Sequence, residues 1–203
     1  PLRANQTTNF SGSFSAEYKF KIFDKQISIL ATASQSESYD YQEGIFKSYR
    51  ANVLDNDFAT ESYTSNTNTT GYIKSELKLN DNHKISYNML FVNKGEDNVY
   101  EQGIDGKGYV FDQQPLEQGA FVRDQNFKQT TIYVNQLMGE HKFSDRIKLV
   151  WATGYNFVLA EEPNRIRNEG NIVDDIGTFT YAYVGDFQQR KTSQKIQDNE
   201  ING

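Results

Sequence analysis

The sequence predicts an all-β protein, built as an antiparallel up-and-down meander of about six long strands. Two observations along its 203 residues predict this fold. Long stretches alternate between apolar and polar side chains, and a strand presents successive side chains to opposite faces. Short polar turns also alternate with long connections, as they do when successive strands pair with one another.

The clearest predicted strand covers residues 10–22. Its even positions are apolar or small and its odd positions are polar, which gives the strand one dry face and one wet face. At ~3.3 Å per residue the strand is roughly 43 Å long, and a tilt of about 40° leaves roughly 33 Å along a membrane normal. A strand of this length can cross a bilayer.

Five further strands are predicted from the same alternation. They cover residues 27–39, 69–79, 84–94, 127–143 and 147–160. Short turns with Asp24, Asp81 and Asp145 at their tips join the strands into hairpins. Within residues 127–143, Ile132 and Val134 fall on the phase opposite to the other apolar side chains. We therefore expect a bulge or a change of phase there.

The connections opposite the short turns are predicted to be long loops. They cover residues 40–68, 95–126 and 161–199. Connections of about 30 residues without structure are rare in compact soluble domains. A barrel in an outer membrane has them, because its periplasmic turns are short and its extracellular loops are long. The sequence therefore predicts part of a larger transmembrane β-barrel, with periplasmic short turns and extracellular long loops.

Composition and charge exclude several other classes of protein. The chain has no cysteine and a net charge of −6. It cannot be a disulfide scaffold or hold a thiolate metal site, and a nucleic-acid partner would need a basic surface. No run of about 18 apolar residues predicts a transmembrane helix. About six strands are too few to close a transmembrane barrel, so we expect further strands on both sides.

Three segments of the chain have amino-acid sequences similar to those of a known family of barrel proteins. They are IKSELKLNDNHKISYNMLF at residues 73–91, QLMGEHKF at residues 136–143 and AEEPNR at residues 160–165. In these segments the chain resembles the barrel of TonB-dependent outer-membrane receptors, especially the Bacteroidetes type that carries a carboxypeptidase-like regulatory domain. The resemblance implies a barrel of about 22 strands in the outer membrane of a Gram-negative bacterium.

The same resemblance implies a function and its partners. The whole protein would import a ligand without altering it chemically, gated by a plug domain and driven by TonB. The plug domain is not expected in this part of the chain. The implied partners are outer-membrane lipid and the TonB complex, which would act through the plug, with a surface lipoprotein as a further candidate.

The barrel interpretation assigns the apolar phase of each strand to lipid. The residues predicted to face lipid are Phe14, Phe20, Ile29, Ile73, Met89, Leu149, Trp151 and Phe157. Their sequence neighbours, which include Lys19 and Lys74, are predicted to line a water-filled lumen.

Ligand recognition is predicted in the long loops, because binding residues concentrate on loops that a rigid scaffold holds. The candidates are Tyr100, Asp105, Tyr109, Phe111, Arg123, Arg165 and Arg167. The aromatic side chains suit sugars, peptides or aromatic chelates equally, and the arginines suit an anionic ligand. The alternative that these side chains only pack the loops onto one another stays open.

The sequence contains no constellation for catalysis, so the chain is not predicted to be an enzyme. The serines of the first strand lack a Gly-x-Ser-x-Gly elbow. His83 and His141 lie far apart in the chain, without the close spacing of a metal site. No metal or cofactor is therefore predicted. The alternative from another class is a soluble, secreted all-β ligand-binding domain, which would fold without detergent or lipid.

Overall fold

The computed structural model of the chain describes residues 8–103, 120–172, 179–180 and 189–203. These residues form eight strands in one antiparallel sheet. The strands are β1 (Phe10–Ile22), β2 (Lys25–Arg50), β3 (Val53–Asn80), β4 (His83–Gln102), β5 (Ala120–Ser144), β6 (Ile147–Ile172), β7 (Phe179–Thr180) and β8 (Gln189–Asn202). The predicted all-β class with antiparallel, up-and-down strands is confirmed.

Strands β1 to β6 lie in sequence order across the sheet, and each is hydrogen-bonded to the next. Beyond β6, β7 pairs with Asn171 and Ile172, and β8 pairs with the stretch from Gly154 to Asn168. In the described part of the chain, β1 forms one edge of the sheet, β7 and β8 form the other, and each of the three pairs with one neighbour only. The order is that of a meander, in which each strand turns back beside its predecessor.

Three tight turns lie at one end of the sheet, which we call the short-turn end. They occupy residues 23–24, 81–82 and 145–146 and contain the three predicted tips. In the first turn, Phe23 and Asp24 have φ angles of 49° and 62°, the left-handed conformation that a two-residue hairpin turn requires. In the second, Lys78 forms a 2.8 Å salt bridge with Asp81. The predicted hairpin turns are confirmed.

The predicted loop at residues 40–68 is wrong. Strands β2 and β3 continue through this range and meet in another tight turn at Ala51 and Asn52, whose φ angles are 48° and 65°. The alternation stops because polar side chains occupy both faces, as in Asn66-Thr67-Asn68. The backbone ladder between the two strands nevertheless continues, because its hydrogen bonds do not involve the side chains.

The predicted loops 95–126 and 161–199 are also partly strand. The first contains the end of β4 and the start of β5, and the second contains the end of β6, all of β7 and most of β8. We call this end of the sheet the long end, because β2 to β6 all extend into it beyond the start of β1.

The two faces of the sheet differ in polarity over the half nearer the short turns. Directly paired residues share a face, and sequence neighbours lie on opposite faces. By this register the eight residues predicted to face lipid all share one face, here called the apolar face: Phe14, Phe20, Ile29, Ile73, Met89, Leu149, Trp151 and Phe157. Ser15, Lys19 and Lys74 lie on the opposite, polar face.

The bulge or change of phase predicted within residues 127–143 does not occur at Ile132 and Val134, but the pairing of β5 with β6 shifts register near both ends of this range, between Gln125 and Gln129 and between Lys142 and Ser144. Between these two shifts, β5 pairs with β6 without interruption. Ile132 lies between Val92 of β4 and Val158 of β6 on the polar face. Cross-strand neighbours are close enough for their side chains to pack, which explains the apolar residues in this phase.

Few apolar side chains in the described part are buried. Phe58, Phe121 and Val122 are the buried ones, whereas Phe14 and Tyr18 expose 67% and 69% of their surface. A sheet must bury its apolar face against a second layer or an apolar environment. The sheet therefore leaves an apolar face that its own described residues do not cover. No helix that could span a membrane occurs in the described ranges.

Candidate functional site

Exposed and half-buried apolar side chains form a belt on the apolar face next to the short turns, which we call the apolar belt. On β6 it contains Ile147, Leu149, Trp151, Tyr155, Phe157 and Leu159. Toward the long end the belt meets a polar cross-strand row, in which Asn93 Nδ2 donates to Thr131 Oγ1 at 2.8 Å and the Thr69 hydroxyl donates to Gln35. The belt therefore ends at this polar row on the side facing the long end.

The polar face carries a depression lined mainly by polar and charged side chains beside the same turns. Its volume is about 330 Å³, and it is lined by Glu17, Lys19, Gln26, Ser28, Leu30, Lys74, Glu76 and Lys78. Lys19 pairs with Glu17 at 2.9 Å. Glu140 bridges Lys84 and Lys148 at 3.1 and 2.7 Å. Because these ions are paired but still exposed, this face is suited to contact with water.

A cluster of charged side chains lies on the polar face near the long end, where β5 and β6 pair. Arg165 binds Asp124 through two hydrogen bonds, of 2.9 and 3.3 Å. Arg167 lies 3.9 Å from the same carboxylate and 2.7 Å from Glu169. We call these four residues the arginine cluster. The hydrogen bonds that Arg165 donates to the Asp124 carboxylate raise the pKa of Arg165, which keeps it charged.

Tyr100 extends the arginine cluster onto β4. It lies in one cross-strand row with Asp124 and Arg167, and its hydroxyl accepts a 2.8 Å hydrogen bond from Gln102 Nε2. An aromatic ring beside two guanidinium groups could bind a planar or anionic ligand. Since carboxylates already pair with both arginines, an anion would have to compete with Asp124 and Glu169.

Arg123 is separated from this cluster, because its side chain lies on the apolar face. Its Nε donates to Glu101 at 2.7 Å, and Glu101 is only 5% exposed. The guanidinium carbon lies 5.3 Å from the centre of the Phe121 ring. A buried carboxylate needs such a partner, so Arg123 is held by an interaction inside the protein.

The structure thus brings three of the predicted ligand-binding residues together and separates a fourth. Tyr100, Arg165 and Arg167 share the polar face near the long end, and Arg123 lies on the other face. The remaining predicted candidates, Asp105, Tyr109 and Phe111, lie outside the described residues.

Sequence reasoning missed the carboxylates of the arginine cluster. A signal for one was present, since Arg165, Arg167 and Glu169 are spaced by two residues and a strand places such residues on one face. Asp124 could not be found in this way, because it belongs to another strand and meets the arginines only through the register of β5 with β6.

Tyrosine and glutamate side chains form a second polar group near the long end, on the apolar face. The hydroxyls of Tyr41 and Tyr63 donate to Glu43 and Glu61, and their rings are in contact at a tilt of 37°, with centroids 4.9 Å apart. The hydrogen bond to Glu43 and, to a smaller extent, burial raise the pKa of Tyr41. Beyond the belt, these residues make the same face of the sheet polar.

The histidines were also missed as a pair. His83 and His141 are cross-strand partners in β4 and β5, with their Nδ1 atoms 3.2 Å apart. No group of three or more potential metal ligands from His, Cys, Asp and Glu occurs among the residues that the structure describes.

Comparison with known proteins identifies no relative of this chain: neither a protein-family model nor a curated protein matches the sequence.

Proposed function

We propose that this chain is a segment of an outer-membrane β-barrel receptor, which takes up a ligand through the barrel without converting it chemically. One observation carries the proposal: a single-layered sheet of long antiparallel strands has an apolar belt on one face and paired, solvent-exposed charges on the other. Lipid covers such a belt, and a water-filled lumen solvates such charges.

The height of the apolar belt supports a membrane-spanning role. From Ile147 to Leu159, β6 advances twelve residues, which is about 40 Å along the strand. A tilt of about 40° reduces this to about 30 Å along the membrane normal, comparable to the hydrocarbon core of a bilayer. Within this stretch, Thr153 is the one non-aromatic polar side chain in the outward phase.

The extension of the strands beyond the belt supports a role in ligand capture. The arginine cluster and Tyr100 lie on that extension, on the face assigned to the lumen. The resemblance to TonB-dependent receptors adds the expected energy source and partners: TonB acting through a plug domain, outer-membrane lipid, and a surface lipoprotein as a candidate. The location would be the outer membrane of a Gram-negative bacterium.

Two adjacent residues test the proposal. Trp151 lies on the apolar face, and Ala152 lies on the polar face, where it pairs with Met138. An arginine near the bilayer midplane costs about 2–4 kcal/mol on the lipid face, whereas lumen positions tolerate charge. We therefore expect Trp151→Arg to impair folding into lipid vesicles far more than Ala152→Arg, measured on the full-length protein by heat-modifiable gel mobility.

A third variant controls for the loss of the large indole. Trp151→Leu keeps an apolar side chain and should fold nearly as well as the unchanged protein. Equal folding of the two arginine variants would contradict the assignment of the faces. Folding of the unchanged protein in water, without detergent or lipid, would instead support a soluble, secreted ligand-binding domain.

A further inference from the structure

Both histidines of the chain meet at one point of the sheet, near the short-turn end on the apolar face. The chain contains no other histidine. His83 begins β4, and His141 lies directly opposite it in β5. The ring centroids are 5.3 Å apart, and the two Nδ1 atoms are 3.2 Å apart. Both side chains are only partly buried, and they lie at the border of the apolar belt, where His83 directly follows the exposed turn residues Asp81 and Asn82.

We propose that His83 and His141 form a chelating site for a divalent first-row transition metal ion, of the Ni²⁺, Cu²⁺ or Zn²⁺ class. A metal ion lies about 2.1 Å from an imidazole nitrogen. Two nitrogens 3.2 Å apart therefore subtend an angle of about 100° at the ion, between octahedral and tetrahedral values. Imidazole nitrogen suits these ions, and water would fill the remaining positions.

Trp151 sets the proton positions of the pair in the absence of metal. Its Nε1 donates to His141 Nε2 at 3.1 Å, so a neutral His141 ring carries its proton on Nδ1. That Nδ1–H donates to His83 Nδ1, and the His83 proton lies on Nε2. The three side chains thus form one chain of hydrogen bonds from Trp151 through His141 to His83.

Metal binding would rearrange this chain without changing the total number of protons. The ion takes the lone pairs of both Nδ1 atoms, so the His141 proton moves from Nδ1 to Nε2. Two N–H groups would then face each other between Trp151 and His141, and their hydrogen bond would break. Trp151 is therefore both a competitor of the metal ion and a sensor of its binding.

Titration of the folded, full-length protein with Ni²⁺ alone tests the proposal. Trp151, the single tryptophan of this sequence, lies beside the pair. Ni²⁺ should therefore saturably quench the part of the fluorescence that is lost in Trp151→Phe, and EDTA should reverse the quenching. His83→Gln keeps the contact between Trp151 and His141 but should weaken Ni²⁺ binding more than about tenfold, since even loss of a supporting group costs 10–100-fold.

Further variants separate the site from general effects of the ion. Lys84→Gln changes a neighbour on the polar face and should bind Ni²⁺ like the unchanged protein. Trp151→Phe removes the competing donor and should bind Ni²⁺ more tightly by calorimetry. The proposal is overturned if quenching does not saturate or if His83→Gln leaves the Ni²⁺ affinity unchanged. Weaker binding by Trp151→Phe would overturn the proposed proton shift.

Discussion

Gly139 determines where the side chain of its cross-strand partner Trp151 lies. Gly139 lies directly opposite Trp151 in the ladder between β5 and β6, and the indole covers the space that a Cβ on Gly139 would occupy. The glycine is buried beneath the ring. A large ring over a strand glycine compensates for its missing side chain by covering the backbone. This arrangement also directs the Trp151 N–H toward His141.

Gly139→Ala should therefore displace the indole. We expect a loss of about 1–3 kcal/mol in the free energy of unfolding, which is typical of overpacking, together with a shift of the Trp151 emission maximum. Gly71→Ala is the matched control on the same face, because a Cβ there would meet only Phe91 Cβ, at an ordinary 3.9 Å. Denaturant unfolding followed by fluorescence measures both variants. Equal effects of the two substitutions would contradict the packing argument.

Charged side chains connect strands β5 and β6 near the long end, where the alternation of apolar and polar residues has ended. Near the long end, Asp124 of β5 joins Arg165 and Arg167 of β6, and its side chain is 13% exposed. The irregularity between Glu162 and Arg165 in the pairing of β6 with β8 lies beside this contact. Charge-assisted hydrogen bonds to a largely buried carboxylate are stronger than those between exposed ions.

Asp124→Asn should loosen this end of the β5–β6 pair. We expect a destabilisation of about 1–2 kcal/mol, reduced from the usual value for charged hydrogen bonds because the arginines are partly exposed. Hydrogen exchange of the described strand residues around positions 120–126 and 165–170 should accelerate, while that around Trp151 should not. Glu96→Gln removes a partner of the more exposed pair with Lys128 and should change exchange little. Similar acceleration by both variants would contradict a special role for Asp124.

How far each strand could be predicted depended on the contrast between its faces. Strand β1 was predicted with its observed bounds, Phe10–Ile22, because apolar and polar residues alternate along its whole length. The long-end halves of β2 and β3 were missed because no period remains there: polar residues occupy both faces in stretches such as residues 66–68, and the neighbouring apolar residues Ile45 and Phe46 fall on opposite faces. The meeting of His83 with His141 was missed for another reason. It depends on the register between β4 and β5, which a long connection leaves undetermined in the sequence.

At the scale of the whole molecule, the tight turns lie at two opposite ends of the sheet. Residues 23–24, 81–82 and 145–146 share the short-turn end, and residues 51–52 lie at the long end. The apolar belt lies much closer to the first set than to the second. If the belt spans a membrane, only a short stretch of protein protrudes on one side and a long stretch protrudes on the other. Barrels of the outer membrane place the longer extension outside the cell.

Single-cysteine variants of the full-length protein in intact cells test this orientation. The 203-residue sequence contains no cysteine. Asp24→Cys and Asn52→Cys each add one thiol to it, in exposed turns at opposite ends of the sheet. A membrane-impermeant maleimide should label position 52 in intact cells and position 24 only after the outer membrane is opened. Labelling in denaturant controls for thiol content. Labelling of position 24 alone in intact cells would reverse the orientation, and equal labelling of both positions would contradict a membrane-spanning belt.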